Sequence, residues 1–294
     1  MRVNKAQHTD IGGRRRFRRF LLVVLLLACL AGAGYLGYMG FAELRERQQG
    51  EEFYANLAAS VGNGAADGNA DGNMIGVSPD AAGLRYETGL IPSGQTGHAD
   101  NVSEIDFQTI WQTCPDVVGW LRIDDSGVDY PIVLGEDNDF YLHHLPDGTE
   151  NAAGSIMMDE ANSGLFQETV NIIHGHHMRN GSMFGNLDDY GDEEYYRAHS
   201  VLRLYTPAGD YDVAVFAAYT VNGYTFGYPT SFDDEAAFDQ FIRKAISATP
   251  YETGVDVAYG DRILMLSTCA YSYNGARYVV MGKILVSEAL SGAE

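Results

Sequence analysis

A chain of 294 residues has room for a targeting segment, a spacer and one folded domain of about 190 residues with a sizeable core. Its formal charge of −21 is unevenly spread: residues 1–47 carry nine Lys and Arg against three acidic groups, and the remainder carries ten against thirty-seven. A surface that acidic repels polyphosphate, which excludes nucleic acid as a partner, and three cysteines (Cys29, Cys114, Cys269) do not make a disulfide framework.

Residues 20–41 (FLLVVLLLACLAGAGYLGYMGF) contain no charge. As a helix they reach roughly 33 Å, which matches a hydrocarbon core of about 30 Å. Arg14, Arg15, Arg16, Arg18 and Arg19 stand directly before them. Arginine clustered on that side predicts a single-pass signal anchor, with residues 1–19 in the cytoplasm and the chain after Arg47 outside the cell. Two other readings compete. A cleaved signal peptide would have a shorter apolar stretch and a small-x-small cleavage site. The run Leu26-Leu27-Ala28-Cys29 resembles a lipoprotein processing box, but the residues after Cys29 stay apolar for more than a turn, which suits a membrane span better.

Residues 42–101 shift to Gly, Ala, Asn, Asp and Ser, with AADGNADGN at their centre. Such a composition does not offset the entropy of ordering a chain, so a flexible extracellular linker is expected, with residues 51–59 extending the membrane helix at most briefly. From residue 102 to 294 the pattern is that of a folded domain. Ile105, Phe107, Ile110 and Trp111 suggest a short helix ending before Pro115. Short β-rich runs follow at 117–123, 130–133, 155–158, 170–174, 201–205, 211–219, 262–267 and 278–286, separated by Gly, Asp, Asn and Pro. About eight strands at this spacing indicate a barrel or a sandwich. One amphipathic helix interrupts them at 232–248, where Phe238, Phe241, Ile242, Ala245 and Ile246 recur at helical spacing and Ser231 or Asp233 is placed to cap the start.

Candidate chemistry gathers at two strand ends. Ile263-Leu264-Met265-Leu266-Ser267-Thr268-Cys269 reads as a buried strand ending at a cysteine, and after seven loop residues Arg277 opens another strand. Paired as an antiparallel hairpin, these strands would bring Cys269 and Arg277 to the same end. A guanidinium beside a thiol favours the nucleophilic thiolate, and it is suited to an oxyanion. A cysteine at a strand end is otherwise an ordinary small buried residue. The second element, Asn171-Ile172-Ile173-His174-Gly175-His176-His177-Met178, delivers three histidines to a glycine-containing turn. Histidines clustered there point to acid/base chemistry, or to a metal site on the face shared by His174 and His176. No carboxylate or cysteine at close ligand spacing supports the metal reading, so no metal is expected. Cys114, between Thr113 and Pro115, reads as a semi-buried small residue, with a regulatory disulfide to Cys269 as the other possibility.

Leu266-Ser267-Thr268-Cys269, followed by an Arg that starts a Val-rich strand, resembles the active-site signature of the sortases, and the LSTC form resembles class B in particular. The Gly175-His176 pair, the run His176 to Phe184, and the segments Asp116 to Leu121 and Asp129 to Val133 are similar to class B sequences as well. Met265 departs from the Thr common before LSTC, and the Cys-to-Arg loop is shorter than in some class B members. The resemblance implies a closed eight-stranded β-barrel with an N-terminal helix and an extra helix between two late strands. It implies Cys269 as nucleophile, His176 as general acid/base with His177 as the neighbouring alternative, and Arg277 as substrate or oxyanion contact. Thr268 would shape the acyl pocket and Ser267 would line the substrate groove. The implied enzyme is a cofactor-free cysteine transpeptidase. It would take an Asn-Pro-x-Thr-x-like sorting signal from a surface protein and pass it to an amine of a peptidoglycan precursor or a pilin. The rival readings are an exported papain-like peptidase or L,D-transpeptidase, and a non-catalytic envelope protein on the same scaffold. In papain-like enzymes the Cys precedes the His, whereas here His176 comes first.

Overall fold

Strand seven of this fold, β7, is apolar at every position from Ile263 to Leu266, because it is covered on both faces. The computed structural model of the chain describes residues 11–61, 103–270 and 272–285. Its strands are β1 (Val117–Ile123), β2 (Val128–Val133), β3 (Ile156–Met158), β4 (Val170–His174), β5 (Val201–Thr206), β6 (Gly209–Asn222), β7 (Ile263–Cys269) and β8 (Ala276–Ile284). They close into a barrel in the order β1-β2-β3-β4-β7-β8-β6-β5. Two neighbour pairs, β2 with β3 and β4 with β7, run parallel. The eight-stranded barrel expected from the sequence is therefore present, with β6 longer than its apolar stretch alone suggested.

The period of two sorts each strand between two cores. Leu264 and Leu266 point into the barrel, where they join Leu121, Ile132, Ile173 and Val280. Ile263 and Met265 point outward, against Phe238, Ile242 and Ala245 of helix α4 (Glu235–Ala248). That helix is capped by Asp234, which accepts from the Ala237 N–H at 2.8 Å, rather than by Ser231 or Asp233. The cap has to be the last extended residue before the helical turn, and here that residue is Asp234. A shorter helix, α3 (Glu193–Ala198), is capped by Asp192 and has no counterpart in the sequence reading.

The helix numbered α1 runs over Ile11–Val61. The chain divides into compact units at Gly50, and in the first of these α1 carries an exposed apolar stretch long enough to cross a membrane. The second unit begins with Gly50–Val61, which the sequence reading had assigned to the linker. Tyr54, Leu57 and Val61, at helical spacing, are buried against the barrel. Leu57 and Val61 pack with Ile110 of α2 (Phe107–Ile110) and with Trp120, and the Tyr54 hydroxyl donates to the Gly154 carbonyl at 2.6 Å. Polar and alanine residues between them hide this stripe in a composition count. Residues 62–102, the remainder of the expected linker, lie outside the described residues.

Asp159, at the end of β3, is nearly buried at 8% exposure. Burial would raise its carboxyl, but hydrogen bonds from His174 Nε2 (2.8 Å), the Ala161 N–H (3.0 Å) and Asn138 Nδ2 (3.1 Å) outweigh it and hold the group below the ordinary value of 3.8. A depressed carboxyl stabilises the fold above its unfolded-state value, and the gain is lost as pH falls through the lower folded value. Asp159→Asn should therefore cost about 1–3 kcal/mol near neutrality, and the gap to wild type should close as pH falls below 3.8 in urea melts. A gap independent of pH would contradict this. A domain that starts at Gly50 should also melt at a higher temperature than one starting at Ser103, since Tyr54, Leu57 and Val61 each bury apolar area worth about 1.5–3 kcal/mol when complete. Equal melting temperatures would show the helix to be a passenger.

Candidate active site

Three strands in a row, β4, β7 and β8, carry the candidate residues at one end of the barrel. Cys269 ends β7, and its partner across the antiparallel ladder is Arg277 on β8. Directly opposed residues lie about 4.5–5.5 Å apart and project to the same face. That face is the outer one, because Ile263, Met265, Val279 and Met281 share its parity and pack under α4. On the other flank β4 runs parallel to β7, with His174 level with Ser267. The Gly175 N–H extends the ladder by donating to the Ser267 carbonyl at 3.1 Å. His176 follows in the turn that leaves β4 at the same end of the barrel. Cys269, Arg277 and His176 are each half-buried.

Gly175 permits that approach. A Cβ there would lie 2.6 Å from Phe184 Cδ2 and 2.9 Å from Ile156 Cγ2, so a side chain would push the histidine turn away from the barrel. Thr268 reinforces the same seam. It faces inward, is buried, and donates its hydroxyl to the Gly175 carbonyl at 2.8 Å. Alternation along β7 therefore places Thr268 away from the face that carries Cys269, and its hydroxyl is engaged in holding the turn. Ser267 does share the outer face. Its hydroxyl meets Tyr228 Oη at 2.8 Å.

The imidazole of His176 is oriented by a backbone group. Its Nε2 donates to the Leu142 carbonyl at 2.8 Å, on a short 3-10 turn at Phe140–Leu142, and this leaves Nδ1 open for proton exchange. His177 is held elsewhere, at 3.1 Å from Asp188. Arg277 donates to the Ala276 carbonyl at 3.2 Å, and among the described residues no carboxylate forms an ion pair with it. The Ala270 N–H, next to Cys269, is committed to the Ala276 carbonyl at 3.0 Å. The guanidinium is thus the nearby donor with capacity to spare.

Tyr228 was not singled out from sequence. It sits at φ 41°, a strained backbone for a non-glycine residue, with its ring edge-on to His174 at 5.3 Å. Burial raises its phenol, and the Ser267 hydrogen bond and the Arg277 guanidinium counteract part of that rise. It lies beside the candidate residues, on the loop between β6 and α4. Among the described residues no three His, Cys, Asp or Glu side chains are grouped as metal ligands, and His174 is engaged with Asp159. Cys114 is wholly buried among Leu57, Ile110 and Trp120, a cluster separate from the face of Cys269, and burial pushes its thiol up.

A family model described as the sortase domain matches residues 121–285. The chain is 37% identical to Sortase B of Listeria monocytogenes over 172 residues, covering 58% of this chain and 70% of that one. It is 30% identical to Sortase B of Staphylococcus aureus over 181 residues, covering 61% and 74%. Among solved structures, sortase B from Bacillus anthracis matches with a TM-score of 0.57 at 37% identity, over 61% of this chain and 84% of that one. A Staphylococcus aureus sortase B–substrate complex matches with a TM-score of 0.59 at 30% identity, over 62% and 85%. With the barrel closed as in those structures and more than half its length matched by the family model, the chain belongs to the sortases, cysteine transpeptidases of the cell envelope, and within them to class B.

Proposed function

We propose that Cys269, His176 and Arg277 carry out a two-step transpeptidation on a C-terminal sorting signal of the Asn-Pro-x-Thr-x kind. The observation that carries this reading is the pairing of Cys269 with Arg277 across β7 and β8, with His176 two residues past the end of β4, the strand that runs parallel to β7. The Cys269 thiolate attacks the carbonyl carbon of the signal's Thr. Arg277 donates hydrogen bonds to the oxyanion that forms there. As the C–N bond breaks, His176 delivers the proton from Nδ1 to the departing amine, and a thioester on Cys269 remains. An amine from a peptidoglycan precursor or a pilin then attacks the thioester. His176 takes the amine's proton, the C–S bond breaks, and a new amide is released. The energy of the original peptide bond is conserved in the thioester, so no cofactor or nucleotide is consumed.

The substrate peptide reaches Cys269 at the end of the outer face that α4 leaves uncovered, where Tyr228 stands and Ser267 backs it. Thr268 acts from inside the barrel by holding the Gly175 carbonyl, and with it the turn that carries His176. Residues 20–41 anchor the enzyme in the membrane with residues 1–19 in the cytoplasm, so that the catalytic domain works on the outer side. The uncharged apolar helix and the arginines before it support this topology.

Cys269→Ala should abolish cleavage of an Asn-Pro-x-Thr-x peptide with the melting temperature preserved. Arg277→Ala should lower kcat by about 10²–10³-fold, the effect of losing one oxyanion donor. Mass spectrometry of the wild-type reaction should show an amide to an added amine, with hydrolysis dominating when the amine is omitted. Ordinary turnover by Cys269→Ala would refute the assignment, and hydrolysis unchanged by amine would favour a peptidase.

A further inference from the structure

Arg277 has a neighbour on each side. Cys269 opposes it on β7, and Val221 opposes it on β6. Past Val221 the chain leaves β6 in a tight turn. Tyr224 N–H donates to Asn222 Oδ1 at 3.0 Å, while the Thr225 and Phe226 N–H groups donate to the Asn222 carbonyl at 3.1 and 3.0 Å. The Gly223 N–H reaches across to the Gly275 carbonyl at 2.9 Å, tying this turn to the loop between Cys269 and Arg277.

Two glycines make that junction close. A Cβ on Gly223 would sit 2.9 Å from Arg277 Cγ and 3.1 Å from the Gly275 carbonyl oxygen, so the arginine stem lies flat over the Gly223 backbone. A Cβ on Gly275 would run into Cε2 of Tyr224, so the tyrosine ring lies over Gly275 in the same manner. Gly275 has φ +79°, which itself favours glycine, whereas Gly223 is not among the glycines at positive φ. The φ at 223 therefore does not demand glycine. What demands it is the passage of the Arg277 stem together with the Gly275 carbonyl. Tyr224 is 76% exposed, so its ring covers Gly275 with the other face toward solvent.

We propose that Gly223 and Tyr224 are positioning residues for the Arg277 guanidinium: the bare backbone of Gly223 seats the arginine stem, and the Tyr224 ring on Gly275 fixes the loop that joins Cys269 to Arg277. A long side chain has several staggered rotamers, and a donor already in place when the oxyanion forms contributes more than one that must be gathered at that moment. The seat holds the stem from Cγ, 2.9 Å from where a Gly223 Cβ would stand, to Nε at 3.7 Å, so fewer rotamers remain open to the guanidinium. This inference rests on the reading of Arg277 as the oxyanion donor. It adds the residues that hold it.

The test is a double-mutant cycle in the detergent-solubilised full-length chain, with cleavage of the Asn-Pro-x-Thr-x peptide as the readout. Gly223→Ala should lower kcat by about tenfold or more while KM changes less than about twofold, because an orientation needed in the transition state is lost rather than peptide binding. Adding Gly223→Ala to Arg277→Ala should slow that variant no further. The proposal is overturned if the two losses multiply, or if Gly223→Ala turns over normally while Arg277→Ala is impaired. Normal turnover by Arg277→Ala would instead remove the role of Arg277 itself, a separable result. Should Gly223→Ala melt early, Tyr224→Ala provides the second arm, since it inserts no atom. It should lower kcat, with Tyr224→Phe restoring it because the contact is made by the ring, and full kcat in Tyr224→Ala would overturn the clamp.

Discussion

The registry of β7 between its two neighbours governs the rest of the structure. Shifting either ladder by one residue would turn the whole strand inside out, sending Cys269 into the barrel and Thr268 onto the surface. What prevents the slip is burial on both faces. Leu264 and Leu266 are fixed in the barrel interior while Ile263 and Met265 are fixed under α4, so neither face tolerates the other's residues. The thiol is therefore held by the same apolar packing that closes the barrel, and the positions of His176 and Arg277 follow from the parallel and antiparallel registers on either side of it.

That arrangement explains why the groups around the site are divided between two faces. On the inner side, Thr268 and the close fit of Gly175 against Phe184 and Ile156 secure the turn that carries the histidine. On the outer side, Asp159, His174, Tyr228 and Ser267 form a connected polar row one pleat behind the cysteine, linked by the 2.8 Å contacts of His174 with Asp159 and of Tyr228 with Ser267. A polar row in a mostly apolar wall is costly unless each member finds a partner. Here the members form two hydrogen-bonded pairs, His174 with Asp159 and Tyr228 with Ser267, that meet at the edge-on contact of His174 and Tyr228.

Much of this could be read from the residues. The β-rich runs between turn residues located all eight strands, and the helical spacing of Phe238, Ile242 and Ala245 located α4. The LSTC run and the Arg eight positions later read as the ends of two paired strands, and Cys269 and Arg277 do oppose each other across β7 and β8. What stayed hidden has common physical causes. The Gly50–Val61 helix buries three apolar residues scattered among alanine and polar ones, and its partners lie far away in sequence. The Leu142 carbonyl that orients His176 is a backbone group, which no side-chain pattern reports. Tyr228 and Asp159 come from loops whose paths are fixed by tertiary contacts. Asp192 before two glutamates was a legible cap for α3, and the helix was missed because it is only six residues long.

The account depends on one arrangement of atoms during reaction, and a crystal structure of the full chain with a peptide mimetic bonded to Cys269 Sγ examines it most directly. The account requires the oxygen of the former scissile carbonyl within about 2.7–3.1 Å of the Arg277 guanidinium, with His176 Nδ1 facing the leaving side. An oxygen pointing away from Arg277 toward solvent, or a peptide lying where His176 cannot reach it, would contradict it.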